Sequence, residues 1–218
     1  MEQIVIASGG TVTNKSDRNA LLSDWLAAVE SPSVEVARLD GATKYWQLSD
    51  PIAAPENTDF TFAAYISGTR TSDIEGVFSD SGGSSWIRAL NSGQSQDLQM
   101  FVGGSFKGAS YPTGYDLRDG NFNLFKLSRV GGQLSFSIND SEMKTLGTSN
   151  AEFSIDNLFR FSNQYFAGVI YGFEVEIGGV LTNSIPLTNK SQGATQIATV
   201  GNVNATMVNF STDVWEEI

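Results

Sequence analysis

The strongest constraint on this chain is a period of two. In the stretch RVGGQLSFSIND, residues 129–140, Leu134, Phe136 and Ile138 alternate with Ser135, Ser137 and Asn139. Such a period puts three apolar side chains on one face of a strand and three small polar ones on the other. Just before it, Phe125 and Leu127 flank Lys126, and Gly131-Gly132 supplies a tight turn between the two runs. The stretch therefore reads as a hairpin with one dry face and one wet face. The same period recurs. Phe60, Phe62, Ala64 and Ile66 alternate with Thr61, Ala63, Tyr65 and Ser67; Leu98, Met100 and Val102 share a face; Phe173, Val175 and Ile177 lie opposite Glu174 and Glu176. Short strands separated by clusters of Gly, Asn, Ser and Asp predict an all-β sandwich or jelly roll over residues 34–218. A chain of 218 residues, 40% hydrophobic, suffices for one such core.

Residues 1–33 follow another rhythm. Leu21, Leu22, Trp25, Leu26 and Val29 fall on one face of a helix. Ser16 is placed to cap it, Asp17 faces its positive end, and Ser31-Pro32 stops it. This segment is expected to dock or oligomerise the chain, or else to pack on its own sandwich.

Composition removes whole classes of chemistry. The chain has no cysteine and no histidine. There is thus no disulfide framework, no thiolate nucleophile, and neither the usual base of a nucleophilic triad nor the commonest zinc ligand. The formal charge of −11, with no cluster of Lys and Arg, argues against nucleic acid as a partner. The amino terminus MEQIVIASGG does not read as a secretory signal, and no apolar stretch approaches the ~20 residues that span a bilayer.

The order of the pieces resembles laminin G-like, concanavalin A-like jelly-roll domains over roughly residues 36–180. Asp40-Gly41 leads to the aromatic pair Tyr45-Trp46 and then to Asp59-Phe60-Thr61; FNLFKLSRVGGQLSFSINDSEM is similar to the central hairpin of those domains, and Gly168 and Ile170 stand where their last long strand begins. Two positions depart from the pattern: Phe125 where a tryptophan is common, and Ser141 where the turn usually has glycine. The tail from Asn189 to Ile218 is similar in style to the ends of bacteriophage tail and virion proteins carrying such domains. The resemblance implies a concanavalin A-like sandwich of two antiparallel sheets in a virion or tail-associated protein made in the host cytoplasm. Its partners would be a glycan or host-surface receptor, other virion proteins and further copies of itself.

Three groups of residues carry candidate chemistry. Trp86, Arg88, Tyr111, Tyr115 and Asp116 lie in two glycine-flanked loops. Aromatic faces beside carboxylates and cations suit sugar rings, so these five are the expected ligand-binding residues. Asp73, Glu75 and Asp80 surround a turn, and calcium, which takes six to eight hard oxygens, is the cofactor such a loop would hold. Glu174 and Glu176 point the same way along a strand, ~7 Å apart. They are the pair that a carboxylate-dependent glycan hydrolase or lyase would use, although the pattern of acidic residues is incomplete. The first expectation is a non-enzymatic binding protein. Hydrolysis or cleavage by the glutamates is the second reading, and a purely architectural decoration protein the third.

Overall fold

The computed structural model describes residues 34–90, 96–139 and 141–218. The helix expected within residues 1–33 lies outside them. In chain order the strands are β1 (Glu35–Asp40), β2 (Tyr45–Ala54), β3 (Phe60–Gly68), β4 (Ile74–Ser79), β5 (Trp86–Leu90) and β6 (Leu98–Val102). Next come β7 (Ser105–Ala109), β8 (Asn123–Val130), β9 (Gln133–Ile138), β10 (Lys144–Thr148), β11 (Phe153–Leu158) and β12 (Arg160–Phe161). The last are β13 (Gln164–Tyr165), β14 (Ala167–Ile177), β15 (Val180–Ile185), β16 (Thr195–Gln196), β17 (Ala205–Val208) and β18 (Trp215–Glu217).

Two eight-stranded sheets result. The first runs β10-β9-β8-β3-β14-β1-β18, with β15 also paired to β14; the second runs β16-β17-β2-β11-β4-β5-β6-β7. Neighbouring strands are antiparallel throughout, and a separate two-stranded ribbon joins β12 to β13. The chain crosses between sheets from β1 to β2, back to β3 and again to β4, so each sheet is assembled from segments distant in sequence. This is the expected jelly-roll sandwich.

The alternation sets the core. Phe60, Phe62, Ala64 and Ile66 are buried from the first sheet, and Trp46, Leu48, Phe78, Ile87 and Met100 from the second. Rings meet across the two sheets: Phe60 stacks on Phe153 at 5.6 Å, and Phe78 meets Phe173 edge-on at 5.7 Å. Each such phenyl contributes about 1.5–3 kcal/mol by leaving water.

The hairpin of β8 and β9 turns at Gly131 and Gly132, with φ of 56° and 81°, the two left-handed positions that a type I′ turn needs. Its polar face is drier than expected. Ser135 and Ser137 are buried, and beside Ser135 the Gln133 amide donates to Thr145 Oγ1 at 3.0 Å.

Candidate functional site

On the second sheet, the residues facing away from the core form a register row. Asn157 pairs with Ser79, Ser79 with Trp86, Trp86 with Phe101, and Phe101 with Phe106. Two bulges create this row. The register slips between Ile155 and Asn157 on β11 and between Gly76 and Phe78 on β4. An extra residue in a strand reverses the faces beyond it, so Asn157 and Ser79 turn outward although residues two positions earlier would predict otherwise.

One end of the row is aromatic. Trp86 stacks on Phe101 at 5.6 Å, meets Phe106 edge-on at 5.5 Å and lies 4.6 Å from Phe161. The Arg88 guanidinium covers its ring at 4.6 Å and donates from Nε and Nη2 to Gln99 Oε1, at 3.2 and 2.8 Å. Partial burial lowers the Arg88 pKa, since desolvation disfavours the charged form. Trp86 itself is only 4% exposed, whereas Phe106 is 63% exposed. The surface is thus presented by Phe106 and Phe161, with Trp86 as their support.

The ribbon of β12 and β13 lies on this face and is anchored at two points. Ser79 Oγ donates to the Arg160 carbonyl at 2.7 Å. Gly76 is buried beneath the ribbon, where any Cβ would collide with the backbone of Arg160 and Phe161. Glycine is required there by close approach of two backbones.

Between this ribbon and the turn after β4 is a depression of about 440 Å³. Ser79 and Asn157 lie at its base; Asp80, Ser81 and two glycines form one wall, and Arg160 to Asn163 the other. Asp80 is committed to its own turn, accepting from the N–H groups of Ser84 and Ser85 at 2.8 and 3.2 Å and from Ser84 Oγ. The neighbouring Asp156 accepts from Ser81 Oγ at 2.5 Å and from Asn157 Nδ2. Arg160 lies 4.5 Å over the Tyr45 ring, and donates from Nη1 to Tyr45 Oη at 2.8 Å and from Nε to the Ser162 carbonyl at 2.9 Å. Hydroxyls, amides, a cation and an apolar ring thus converge on one concave patch. Such a set can bond a polyhydroxylated molecule and pack against its apolar face.

The five residues chosen from sequence divide into two groups. Trp86 and Arg88 come together on this face. Tyr111, Tyr115 and Asp116 belong to a separate cluster whose loop turns inward. The Tyr111 ring packs on Phe136 at 6.2 Å, its N–H donates to Asp97 at 2.9 Å, and burial raises its phenol pKa far above the usual value. Tyr115 packs partly buried against the core, and Asp116 pairs with Arg70 at 3.0 Å and with Arg118.

The acidic loop does not converge either. Glu75 is fully buried, accepts from Thr71 N at 2.7 Å and Ser72 N at 3.1 Å, and lies 3.9 Å from Arg118, while Asp80 serves its own turn. Among the described residues no three acidic side chains are grouped to hold a metal ion. Glu174 and Glu176 are exposed on the outer face of the first sheet, opposite Ala63 and Thr61 of β3, on the other side of the sandwich from the depression.

Sequence reasoning passed over Phe106, Phe161, Arg160 and Asn157. One signal was present: with Leu98, Met100 and Val102 facing the core, Phe101 must face outward, and an aromatic on an outer face asks for a partner.

A second depression of about 440 Å³ lies beside β1. Four of its charged residues pair with one another: Arg38 forms a two-pronged pair with Glu216 at 2.6 and 2.9 Å, and Lys44 reaches Asp40 at 3.4 Å. Burial would raise the Asp40 pKa, but N–H donation from Thr43, Ala42 and Lys44 holds it well below the carboxylate range.

No family model and no curated protein sequence matches the chain. Solved structures do. A carbohydrate-binding protein candidate from Bacteroides ovatus superposes with a TM-score of 0.50 at 13% identity, covering 78% of this chain and 59% of that one. The fold is a concanavalin A-like jelly roll. At this identity the likeness is one of fold alone. A native heptameric SAP-like pentraxin from Limulus polyphemus gives 0.49 at 13% identity, over 67% of this chain and 77% of that one. The extracellular region of zebrafish Gpr126/Adgrg6 gives 0.46 at 17%, over 65% and 21%. This jelly roll therefore spans about three fifths of the Bacteroides protein and a fifth of the zebrafish region.

Proposed function

We propose that the chain is a non-catalytic glycan-binding protein whose site is the depression between the Asp80 turn and the Arg160 ribbon. One observation carries the reading: neutral hydrogen-bonding groups, Asn157, Ser81 and Ser162 among them, surround a cavity with the Phe161 ring in its wall. A sugar ring offers hydroxyls at its rim and CH groups on its face, and this arrangement answers both. The Bacteroides neighbour, a candidate carbohydrate-binding protein, agrees with it. The finer setting is part of the same proposal: a virion or tail-associated protein that meets host-surface glycan as a homo-oligomer. The virion setting rests on the style of the tail from Asn189 onward and the oligomer on the apolar stripe expected within residues 1–33; mass spectrometry of purified particles tests the first, and sedimentation of the full-length chain tests the second.

The direct test is a glycan array followed by titration calorimetry. Phe161→Ala and Asn163→Ala, both on the ribbon, should weaken binding at least tenfold while the melting temperature moves by no more than a few degrees, because neither residue is buried. Unchanged affinity in both variants overturns the placement of the site. Release of cleaved product that stops in the Glu174→Gln, Glu176→Gln double variant overturns the non-catalytic reading.

A further inference from the structure

We propose that the ligand of this depression is an acidic sugar, one whose carboxylate is bonded by Arg160; this rests on the glycan-binding reading and narrows it. The starting point is how the described cations are held. Arg38, Lys44, Arg70, Arg118, Lys144 and Lys190 each have a carboxylate within 4 Å. Arg129 is buried among the carbonyls of Pro55, Thr58 and Ala151, which use its donors. Two guanidiniums follow neither pattern, Arg88 and Arg160, and both lie on the outer face of the second sheet. Each is fixed by an aromatic ring and by neutral oxygens, so its charge is positioned but not cancelled. Lys107 and Lys126 also lack a carboxylate within 4 Å, but no hydrogen bond among the described residues fixes them.

Arg160 is the one that lines the depression. Its Nε and one Nη1 proton are used by Ser162 and Tyr45. The second Nη1 proton and both Nη2 protons remain. These donors suffice to bond both oxygens of a carboxylate. Tyr45 and Ser162 already hold the group in place, so little side-chain freedom is lost when a ligand arrives. In a chain of net charge −11, a preset cation with no carboxylate within 4 Å among the described residues is a specific feature, not a general attraction. Asp80 and Asp156 oppose an anion nearby, but both already accept hydrogen bonds from their own loop. The carboxylate therefore binds at the Arg160 wall, with the sugar's hydroxyls toward the Asp80 turn and its CH face toward Phe161.

The test uses matched pairs on the full chain: oligogalacturonate beside its methyl ester, sialyl-lactose beside lactose, and sulfated lactose as a third arm. At least one carboxylated sugar should bind about 10- to 100-fold tighter than its neutral counterpart, as expected when a charge-assisted hydrogen bond is made. The preference should shrink as salt is raised. Arg160→Gln should abolish it with an unchanged melting temperature, and Arg160→Lys should restore part of it. Equal binding of acid and neutral partners, a preference that survives Arg160→Gln, or binding of the sulfated sugar in place of the carboxylated ones overturns the proposal. Binding of neutral sugars alone overturns it while leaving the glycan-binding reading intact; if no glycan binds, both fall.

Discussion

Two corners of this molecule are built from the same side-chain chemistry and put it to opposite uses. Around Arg118 an arginine, a tyrosine and carboxylates turn inward: the guanidinium is 1% exposed, donates to the Leu90 carbonyl, and sits between Glu75 and Asp116. Around Arg160 an arginine, a tyrosine and carboxylates meet at the edge of a depression, and the cation is held by neutral partners. In the first corner the charges face one another out of water, Arg118 between Glu75 and Asp116, although Glu75 Oε2 and Arg118 Nη1 make no hydrogen bond among the described residues. In the second they are left with donors to spare. The sequence points to the first corner, because its residues crowd into one glycine-rich stretch, yet crowding of polar residues is equally what a cluster turned in on itself needs.

The sharpest way to break the comparison is Arg118→Ala. Removing one member of a buried pair leaves Glu75 as an uncompensated interior charge, which costs about 3–5 kcal/mol. Urea unfolding should show that loss, with m unchanged. A loss under 1 kcal/mol would mean that Arg118 is not the closing element, and the two corners would no longer differ in kind.

Gly76→Val comes next. Its side chain must displace the ribbon that forms one wall of the depression, so about 1–3 kcal/mol of stability should go, and glycan binding with it. Wild-type stability together with wild-type binding would show that the ribbon is not anchored where β4 meets it.

Tyr111→Phe should act in the other direction. The Tyr111 hydroxyl is buried with no hydrogen-bond partner among the described residues. Its removal should raise stability by up to about 1 kcal/mol, because an unpaired buried polar group is a net cost. A thermal melt measures this; destabilisation beyond 1 kcal/mol would reveal a partner for the hydroxyl and a more finely tuned inner corner. The smallest effect is expected from Glu174→Gln with Glu176→Gln. Both groups are exposed on the opposite face, so stability should stay within about 0.5 kcal/mol and any glycan affinity should be unchanged.

Much of the architecture was legible beforehand. The period of two in residues 60–67, 98–102 and 134–138 marks strands and their buried faces, and Gly131-Gly132 marks the turn of the central hairpin. These are local properties, since a side chain two positions along a strand shares its neighbour's face whatever else the chain does. Trp86 and Arg88 could be named on the same local grounds, but not their neighbours. Ser79 bonds the Arg160 carbonyl from 81 positions away. The bulges at Asp156 and Val77, which swing Asn157 and Ser79 outward, leave no mark in the alternation that precedes them.

The sequence by itself therefore determined that this chain is a β-sandwich without histidine or cysteine chemistry, since residue types and a two-residue period suffice for both. Only the tertiary structure decided which aromatic residues face solvent, which arginine is cancelled and which is left available. Those outcomes depend on strand register and on loops packed across the sheets, where segments far apart in the chain compete for the same side-chain partners.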